Sequence, residues 1–174
     1  LKRDSVIVKP TRGNIFSCDG QLMASSLPEY KVYMDFQTGR DDSLHAHKQD
    51  SIWNEKIDSI CEGLNKIFPS KSAAEFKTHL TEGKKRILKN GSAGARHWPI
   101  WPRRIDYNTF CEVRKLPIFK EPIYKGGFHW EEFNSRRRPV GSLAQRTVGD
   151  MFGAKDSAKY GLELSFDAIL RGKN

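Results

Sequence analysis

The sequence contains few cysteines and no long apolar run. Its 174 residues include three cysteines, Cys18, Cys61 and Cys111, and no Cys-x-x-Cys pair. Three scattered thiols are too few for a disulfide scaffold, and the zinc-module spacing is missing. Every apolar run is far shorter than the roughly 20 residues that a membrane helix requires. These absences exclude a disulfide miniprotein, a zinc module and a membrane domain, and we interpret the cysteines as small buried hydrophobic residues.

The common catalytic motifs are also missing. The sequence has no Gly-x-x-x-x-Gly-Lys loop, no His-Glu-x-x-His pair and no Gly-x-Ser-x-Gly elbow. His45-x-His47 has only Asp41 and Asp42 as nearby carboxylates, whereas a metal site normally needs three or four ordered ligands. We interpret this segment as a polar loop and expect neither a metal nor a cofactor. The residues alone therefore indicate no active site.

The composition nevertheless supports a folded core. Leu, Ile, Val and Phe total 40 residues, which is above the roughly 20% level below which charged chains remain disordered. The length fits one domain, or one domain that carries a sizeable insertion. The chain begins at Leu1 rather than Met and ends soon after Gly172, which is typical of a helix stop. We expect it to be a piece of a longer protein.

The net charge of +9 is concentrated in one stretch. Residues 84–138 carry 14 basic and 5 acidic side chains, whereas residues 1–83 carry 11 basic and 12 acidic ones. The basic clusters are Lys84-Lys85-Arg86, Arg103-Arg104 and Arg136-Arg137-Arg138. Such a stretch serves as a solvated face, or it binds an acidic protein, an anionic membrane surface or nucleic acid.

Local patterns predict strands at both ends of the chain. Residues 5–9 contain the β-branched run Val6-Ile7-Val8, residues 15–24 have the form of a hairpin around Asp19-Gly20, and residues 30–36 alternate in polarity. Residues 123–133 predict a bent or bulged strand around a Gly-Gly pair, and residues 147–148 a short strand. The apolar residues between 162 and 170 predict one amphipathic helix.

Residues 42–116 are predicted to be helical. Apolar residues recur at helical spacing from 50 to 68, before Pro69. Ser72 and Glu75 have the spacing of a capping box, which predicts a helix to about Gly83. Asp106 or Asn108 begins a further short helix. The predicted fold class is α+β, with a discontinuous β-rich stem (1–41 and 117–174) and a helical head inserted at 42–116.

Three separated stretches share a family resemblance. Arg12-Gly13-Asn14-Ile15 with Asp19-Gly20 resembles the first motif of the N-terminal module of class B penicillin-binding proteins. Residues 136–149, with Arg136, Pro139, Gly141 and Gly149, are similar to the second motif, although Arg138 replaces its tyrosine. Residues 161–172, with Gly161, Glu163, Asp167 and Gly172, are similar to the third. Residues 26–30 and 144–149 are most similar to division-specific (septal) members from Bacteroidetes.

The resemblance implies a non-catalytic pedestal, called the dimerisation domain in this family. A membrane anchor would precede it and a transpeptidase domain would follow, neither of which is in this chain. The Ser-x-x-Lys, Ser-x-Asn and Lys-Thr-Gly signatures of the catalytic domain are absent, so we expect no enzymatic activity here. The implied location is the periplasmic side of the inner membrane.

The same resemblance implies partners and candidate sites. The pedestal would position its own transpeptidase domain and dock the septal glycosyltransferase and division proteins, with peptidoglycan as a further candidate and no nucleic acid expected. Glu163 is predicted to pair with Arg12 or Arg136, unless it lies at the surface and caps its own helix. The candidate docking residues are Lys84, Lys85, Arg86, Trp98, Trp101, Arg103 and Arg104.

Two other functions fit the residues. The basic stretch and its interleaved aromatic residues suit a free-standing nucleic-acid binder, which would bind with steep salt dependence. Alternatively, Trp98, Trp101 and Trp130 suit a module that holds peptidoglycan strands by stacking on sugars. Trp98 and Trp101 also suit a purely structural tether at the end of the helical segment.

Overall fold

The chain forms two compact units in a computed structural model that describes residues 11–39, 43–89, 96–151 and 157–172. The terminal unit contains Leu1–Pro28 and Asn134–Asn174, and the central unit contains Glu29–Phe133. The elements in chain order are β1 (Ile15–Phe16), β2 (Leu22–Met34), α1 (Ser43–Ile67), α2 (Ala73–Lys89), β3 (Trp98–Pro99), β4 (Ile105–Asp106), α3 (Tyr107–Arg114), α4 (Ile123–Gly126), β5 (Phe128–Arg137), α5 (Gln145–Val148), β6 (Asp150–Met151), β7 (Ala158–Tyr160), α6 (Gly161–Ser165) and α7 (Asp167–Leu170).

The α+β fold class is confirmed. The unit boundaries lie within β2 and β5, so each of these strands contributes residues to both units. The sequence places the boundaries at 41/42 and 116/117, which fall inside the central unit. The reason is that the second half of β2 and the start of β5 belong to the core on which the helices pack.

The helices of the central unit follow the apolar spacing of the sequence. In α1, Trp53, Ile57, Ile60 and Leu64 are buried, and the helix ends before Pro69. Helix α1 begins at Ser43, so His45 and His47 lie in a helix rather than in the predicted loop.

The predicted capping box is present at the start of α2. The Ser72 backbone N–H and hydroxyl donate to Glu75 Oε2 at 2.7 Å, and the Glu75 N–H donates back to Ser72 Oγ. These contacts hold the pKa of the Glu75 carboxyl below its usual value. The helix runs through Gly83 to Lys89, beyond the predicted end.

Strand β2 is the centre of the sheet. It pairs with β1 in the terminal unit, with β3 and β4 in the central unit, and with β5. Met34 lies opposite Trp98, and Tyr30 lies opposite Ile105. Strands β3 and β4 were not predicted, because two residues are too few to show a period of two. They interrupt the predicted helical stretch 42–116.

Helix α3 begins where the sequence indicates. Asp106 is its N-cap, and its Oδ1 accepts a hydrogen bond from the Thr109 N–H at 2.8 Å. Farther along, the prediction of a strand from residue 123 is wrong, because Ile123–Gly126 form α4 and the strand begins at Phe128. Gly127 separates the two elements with a left-handed φ of 73°.

The terminal unit contains the predicted hairpin. Ile15 lies opposite Ala24 and Phe16 opposite Leu22, around a turn in which Gly20 has a φ of 82°. The predicted strand at 147–148 is instead part of α5, and the strand that follows it is β6. The predicted strand at 5–9 lies outside the described residues.

The single amphipathic helix predicted for residues 162–170 is wrong. The segment forms two short helices, α6 and α7, that are separated at Phe166. Leu164, Phe166 and Ile169 are exposed, whereas Glu163 is buried. These apolar residues therefore face outward, because the Glu163 and Asp167 carboxylates on the opposite side pair with the buried Arg12.

The cysteines differ in exposure. Cys61 is buried, which raises the pKa of its thiol to about 11, but Cys18 lies exposed in the hairpin turn, contrary to prediction. Among the helices that the structure describes, none is both long and apolar enough to cross a membrane.

Gly83 gives a test of the packing between α2 and β3. A Cβ at this position would lie 2.7 Å from the Trp98 and Phe36 rings. A helical Gly→Ala change normally adds up to about 1 kcal/mol of stability, but here the clash should reverse the sign. We expect Gly83→Ala to lower the free energy of unfolding by about 1–3 kcal/mol in urea denaturation.

Gly13→Ala is the matched control. A Cβ there meets only Leu170, at an ordinary contact distance of 3.6 Å. We expect this variant to stay close to wild type. Unchanged or increased stability of Gly83→Ala would show that Trp98 does not pack against α2 in this way.

Candidate functional site

Two of the most buried polar side chains lie together in the terminal unit. Arg12 is 5% exposed and Glu163 is 1% exposed. Charged groups at this depth require a partner, because removing a charge from water costs several kcal/mol. They belong to motif stretches that are about 150 residues apart in the sequence.

The Glu163 carboxylate accepts hydrogen bonds from two arginines. Arg12 Nε donates to Glu163 Oε2 at 2.8 Å, and Arg136 Nε donates to Glu163 Oε1 at 2.7 Å. Arg12 Nη2 also donates to the Glu163 carbonyl oxygen at 2.8 Å. The predicted pairing is therefore confirmed, with both arginines rather than one, and Glu163 is not a surface cap.

Asp167 extends the cluster on the side of Arg12. Its Oδ1 accepts from Arg12 Nη1 and its Oδ2 from Arg171 Nε, both at 2.7 Å. Burial would raise the pKa of the Asp167 carboxyl, but the hydrogen bond and charge of Arg12, together with Arg171, hold this pKa below its usual value. Burial would likewise lower the pKa of Arg12, which Asp167 and Glu163 hold above its usual value.

Arg136 joins the third and second motif stretches to the first. Its Nη1 donates to the Gly13 carbonyl at 2.7 Å and to Ser26 Oγ at 3.1 Å. The Gly13 N–H in turn donates to the Leu170 carbonyl at 2.8 Å. Ser26 was not predicted to belong to this cluster, because a serine in a strand is compatible with many contacts.

The remaining motif residues also lie in the terminal unit. Gly149 and Gly161 meet closely, and a Cβ on Gly149 would lie 1.9 Å from the Tyr160 carbonyl oxygen. Arg138, which replaces the family's tyrosine, donates through Nη1 to the Gly149 carbonyl at 3.0 Å. The others occupy turns, strands or helix ends: Ile15, Asp19, Gly20, Pro139, Gly141 and Gly172.

The cluster is suited to holding chain segments together. Both carboxylate oxygens of Glu163 accept from arginine and the side chain is buried, so a substrate does not reach it as a general base. Within the described residues, no three His, Cys, Asp or Glu side chains are placed to hold a metal ion. The chemistry that this geometry supports is electrostatic and structural.

The candidate docking residues all lie in the central unit, and several of them already have partners. Lys84 pairs with Asp50 at 2.8 Å, and Arg86 lies over the Trp98 ring at 4.7 Å. Arg104 lies over Phe133 and 3.8 Å from Glu29. Lys85 and Arg103 are exposed.

Trp98 and Trp101 are packed against helices. Trp98 contacts Gly83, and Trp101 stacks on Phe68 with 4.3 Å between the ring centroids. Neither ring is freely presented to a sugar or a base. The contacts favour the structural-tether interpretation over glycan stacking at these two residues.

The buried ion pairs join segments that are distant in the sequence, which is typical of a structural domain. The sequence matches the family model of the penicillin-binding protein dimerisation domain over residues 7–174. Because the match covers nearly the whole chain, the protein belongs to this family, and the resemblance stated above is confirmed at that level.

A solved penicillin-binding protein shares the fold. Penicillin-binding protein 2X from Streptococcus thermophilus is 20% identical with a TM-score of 0.62, covering 95% of this chain and 23% of that chain. Two structures of penicillin-binding protein PBP2 from Helicobacter pylori are also similar. PBP2 alone is 22% identical with a TM-score of 0.43, and PBP2 in complex with MreC is 19% identical with a TM-score of 0.44. Each match covers 95% of this chain and 29% of that chain. This chain spans about a quarter of their length. Comparison with curated proteins gives no match.

Glu163→Gln tests the buried cluster. The amide cannot neutralise two buried guanidinium groups, and breaking a buried ion pair costs about 3–5 kcal/mol. We expect a loss of that size in the free energy of unfolding measured in urea. Asp167→Asn is the matched control, because Asp167 is more exposed, and its loss should be smaller. Equal losses for the two variants would contradict the central place of Glu163.

The pH dependence of Asp167 has a defined sign. Its folded pKa lies below the ordinary value of about 3.9, so its contribution to stability is complete above that value and is lost as the pH falls through the folded pKa. The stability difference between wild type and Asp167→Asn should therefore be largest at neutral pH and shrink below about pH 4. A difference that stays constant to pH 2 in urea denaturation would exclude this pairing.

Proposed function

We propose that this chain is the non-catalytic N-terminal pedestal of a class B penicillin-binding protein. It positions the transpeptidase domain of its longer protein and docks the septal glycosyltransferase and division proteins during cross-linking of septal peptidoglycan. The observation that carries the proposal is the family match over residues 7–174, whose three motif stretches meet at Glu163.

The buried cluster supports a positioning role. A module that orients another domain must hold its own termini in a fixed position relative to each other, because movement of the termini would change the orientation of the attached domain. Arg12 lies near one end of the chain, and Glu163 and Asp167 lie near the other. Their contacts hold both ends in one unit, which is the property that a pedestal requires.

The septal assignment and the location rest on resemblance. Residues 26–30 and 144–149 are most similar to division-specific members from Bacteroidetes. In such a protein, an anchor in the inner membrane precedes the pedestal, and the pedestal lies on the periplasmic side. Penicillin-binding protein 2X, which shares the fold, is about four times as long as this chain, which leaves room for both further segments.

The gene and a labelled penicillin test the proposal. We expect an apolar stretch of about 20 residues upstream of residue 1 and a Ser-x-x-Lys motif downstream of residue 174. Fluorescent penicillin should label the polypeptide that contains this downstream region and should leave the 174-residue chain unlabelled, because acylation requires the serine nucleophile. Labelling is read on a denaturing gel.

Serine-to-alanine substitution in the downstream Ser-x-x-Lys motif is the control and should abolish labelling. A stop codon soon after residue 174, without an upstream anchor, would refute the pedestal proposal. Nucleic-acid and peptidoglycan binding by the free chain would then be the functions to measure.

A further inference from the structure

A groove lies on the central unit, and none of the docking residues predicted from the sequence lines it. It has a volume of about 410 Å³ and runs between Arg114, the turn 119–123 and residues 128–130. We call it the Trp130 groove. Its volume lies in the range of pockets that accept ligand groups, and it has room for about two large side chains.

The floor of the groove is apolar. Phe119 and Phe128 stack with 4.9 Å between their ring centroids and are 1% and 2% exposed. On the rim, Ile123 and Trp130 are exposed, and Tyr124 beside them is 69% exposed. Large apolar side chains that remain half exposed around a concave apolar floor are typical of an interaction surface.

The turn that forms one wall is held in a strained conformation. Ile118 has a φ of 68°, which is a genuine outlier for a β-branched residue. The conformation is fixed because the Ile118 carbonyl accepts from the Glu121 N–H at 3.1 Å and approaches Gly126, where any Cβ would lie 2.3 Å from it. Such strain clusters at binding sites, where it keeps the surface preformed.

The charges on the rim favour an acidic ligand. Arg114 and Lys120 line the groove, and neither has a carboxylate partner among the residues that the structure describes. Glu121 is the single acidic residue of the lining, so the lining carries a net positive charge. Carboxylates of a ligand would pair with these two cations.

The contacts of Trp130 oppose a sugar as the ligand. Arg114 lies over the Trp130 ring at 5.2 Å from its centroid, and Phe110 and Phe128 pack against the same ring at 5.1 and 6.0 Å. Stacking a sugar requires an uncovered ring face. The apolar floor likewise offers few hydrogen-bond groups to hydroxyls.

We infer that the Trp130 groove binds an acidic peptide segment of a partner protein. One or two large apolar side chains of the segment fill the space above Phe119 and Phe128, and adjacent Asp or Glu residues pair with Arg114 and Lys120. The inference deepens the docking part of the proposed function by naming the surface and the chemistry of the partner.

A displayed library of random dodecapeptides, selected on the 174-residue chain, tests the inference. We expect the selected peptides to combine Asp or Glu with Leu, Ile, Phe or Trp and to weaken in binding as salt rises. The variant Arg114→Glu/Lys120→Glu should lower their affinity at least tenfold, measured by fluorescence anisotropy. The matched variant Lys115→Glu/Lys125→Glu makes the same change of charge at cations outside the groove lining and should change affinity less than twofold.

Circular dichroism of both double variants establishes that they are folded. Selection of no peptide, of basic peptides, or of peptides that tolerate the groove variant would overturn the inference, and so would groove-dependent binding of soluble glycan strands instead. The gene and penicillin experiments do not depend on the groove, so a failed selection leaves the pedestal proposal standing, and a refuted pedestal leaves the peptide measurement interpretable.

Discussion

The terminal unit depends on one carboxylate that is shared by two arginines. Glu163 is buried with Arg12 on one oxygen and Arg136 on the other, and each guanidinium also reaches a backbone carbonyl. A buried charge pair of this kind adds little net stability over a well-packed apolar alternative, because desolvation offsets much of the attraction. Its geometric effect here is that it joins three stretches that are distant in the sequence.

The same constraint explains why sequence patterns succeed in some segments and fail in others. The hairpin at 15–24, the capping box at Ser72 and the N-cap at Asp106 were predictable, because each depends on residues a few positions apart. The segment 161–170 was not, since its apolar spacing predicts a buried apolar face and carries no information about the distant arginines. The arginines turn the carboxylates of that segment inward and leave Leu164 and Ile169 outside.

The two candidate sites differ in the same way. The pairing of Glu163 followed from chemistry, because a long acidic residue in a structural motif has few suitable partners besides the arginines of the other motifs. The Trp130 groove combines α3, a turn and β5, which no local pattern brings together. The charge distribution indicates the cationic stretch 84–138, but the docking residues predicted from it do not line the groove: Lys84, Lys85, Arg86, Trp98, Trp101, Arg103 and Arg104.

The left-handed Ile118 has an evolutionary consequence. Glycine at this position would relieve the backbone strain, but it would also enlarge the unfolded ensemble and loosen the turn. Selection for a rigid wall and selection for an unstrained chain therefore favour different residues at one site. An isoleucine at this position keeps the shape of the turn but leaves its backbone strained. Substitutions at position 118 should therefore accumulate slowly, even though the residue contacts no catalytic group.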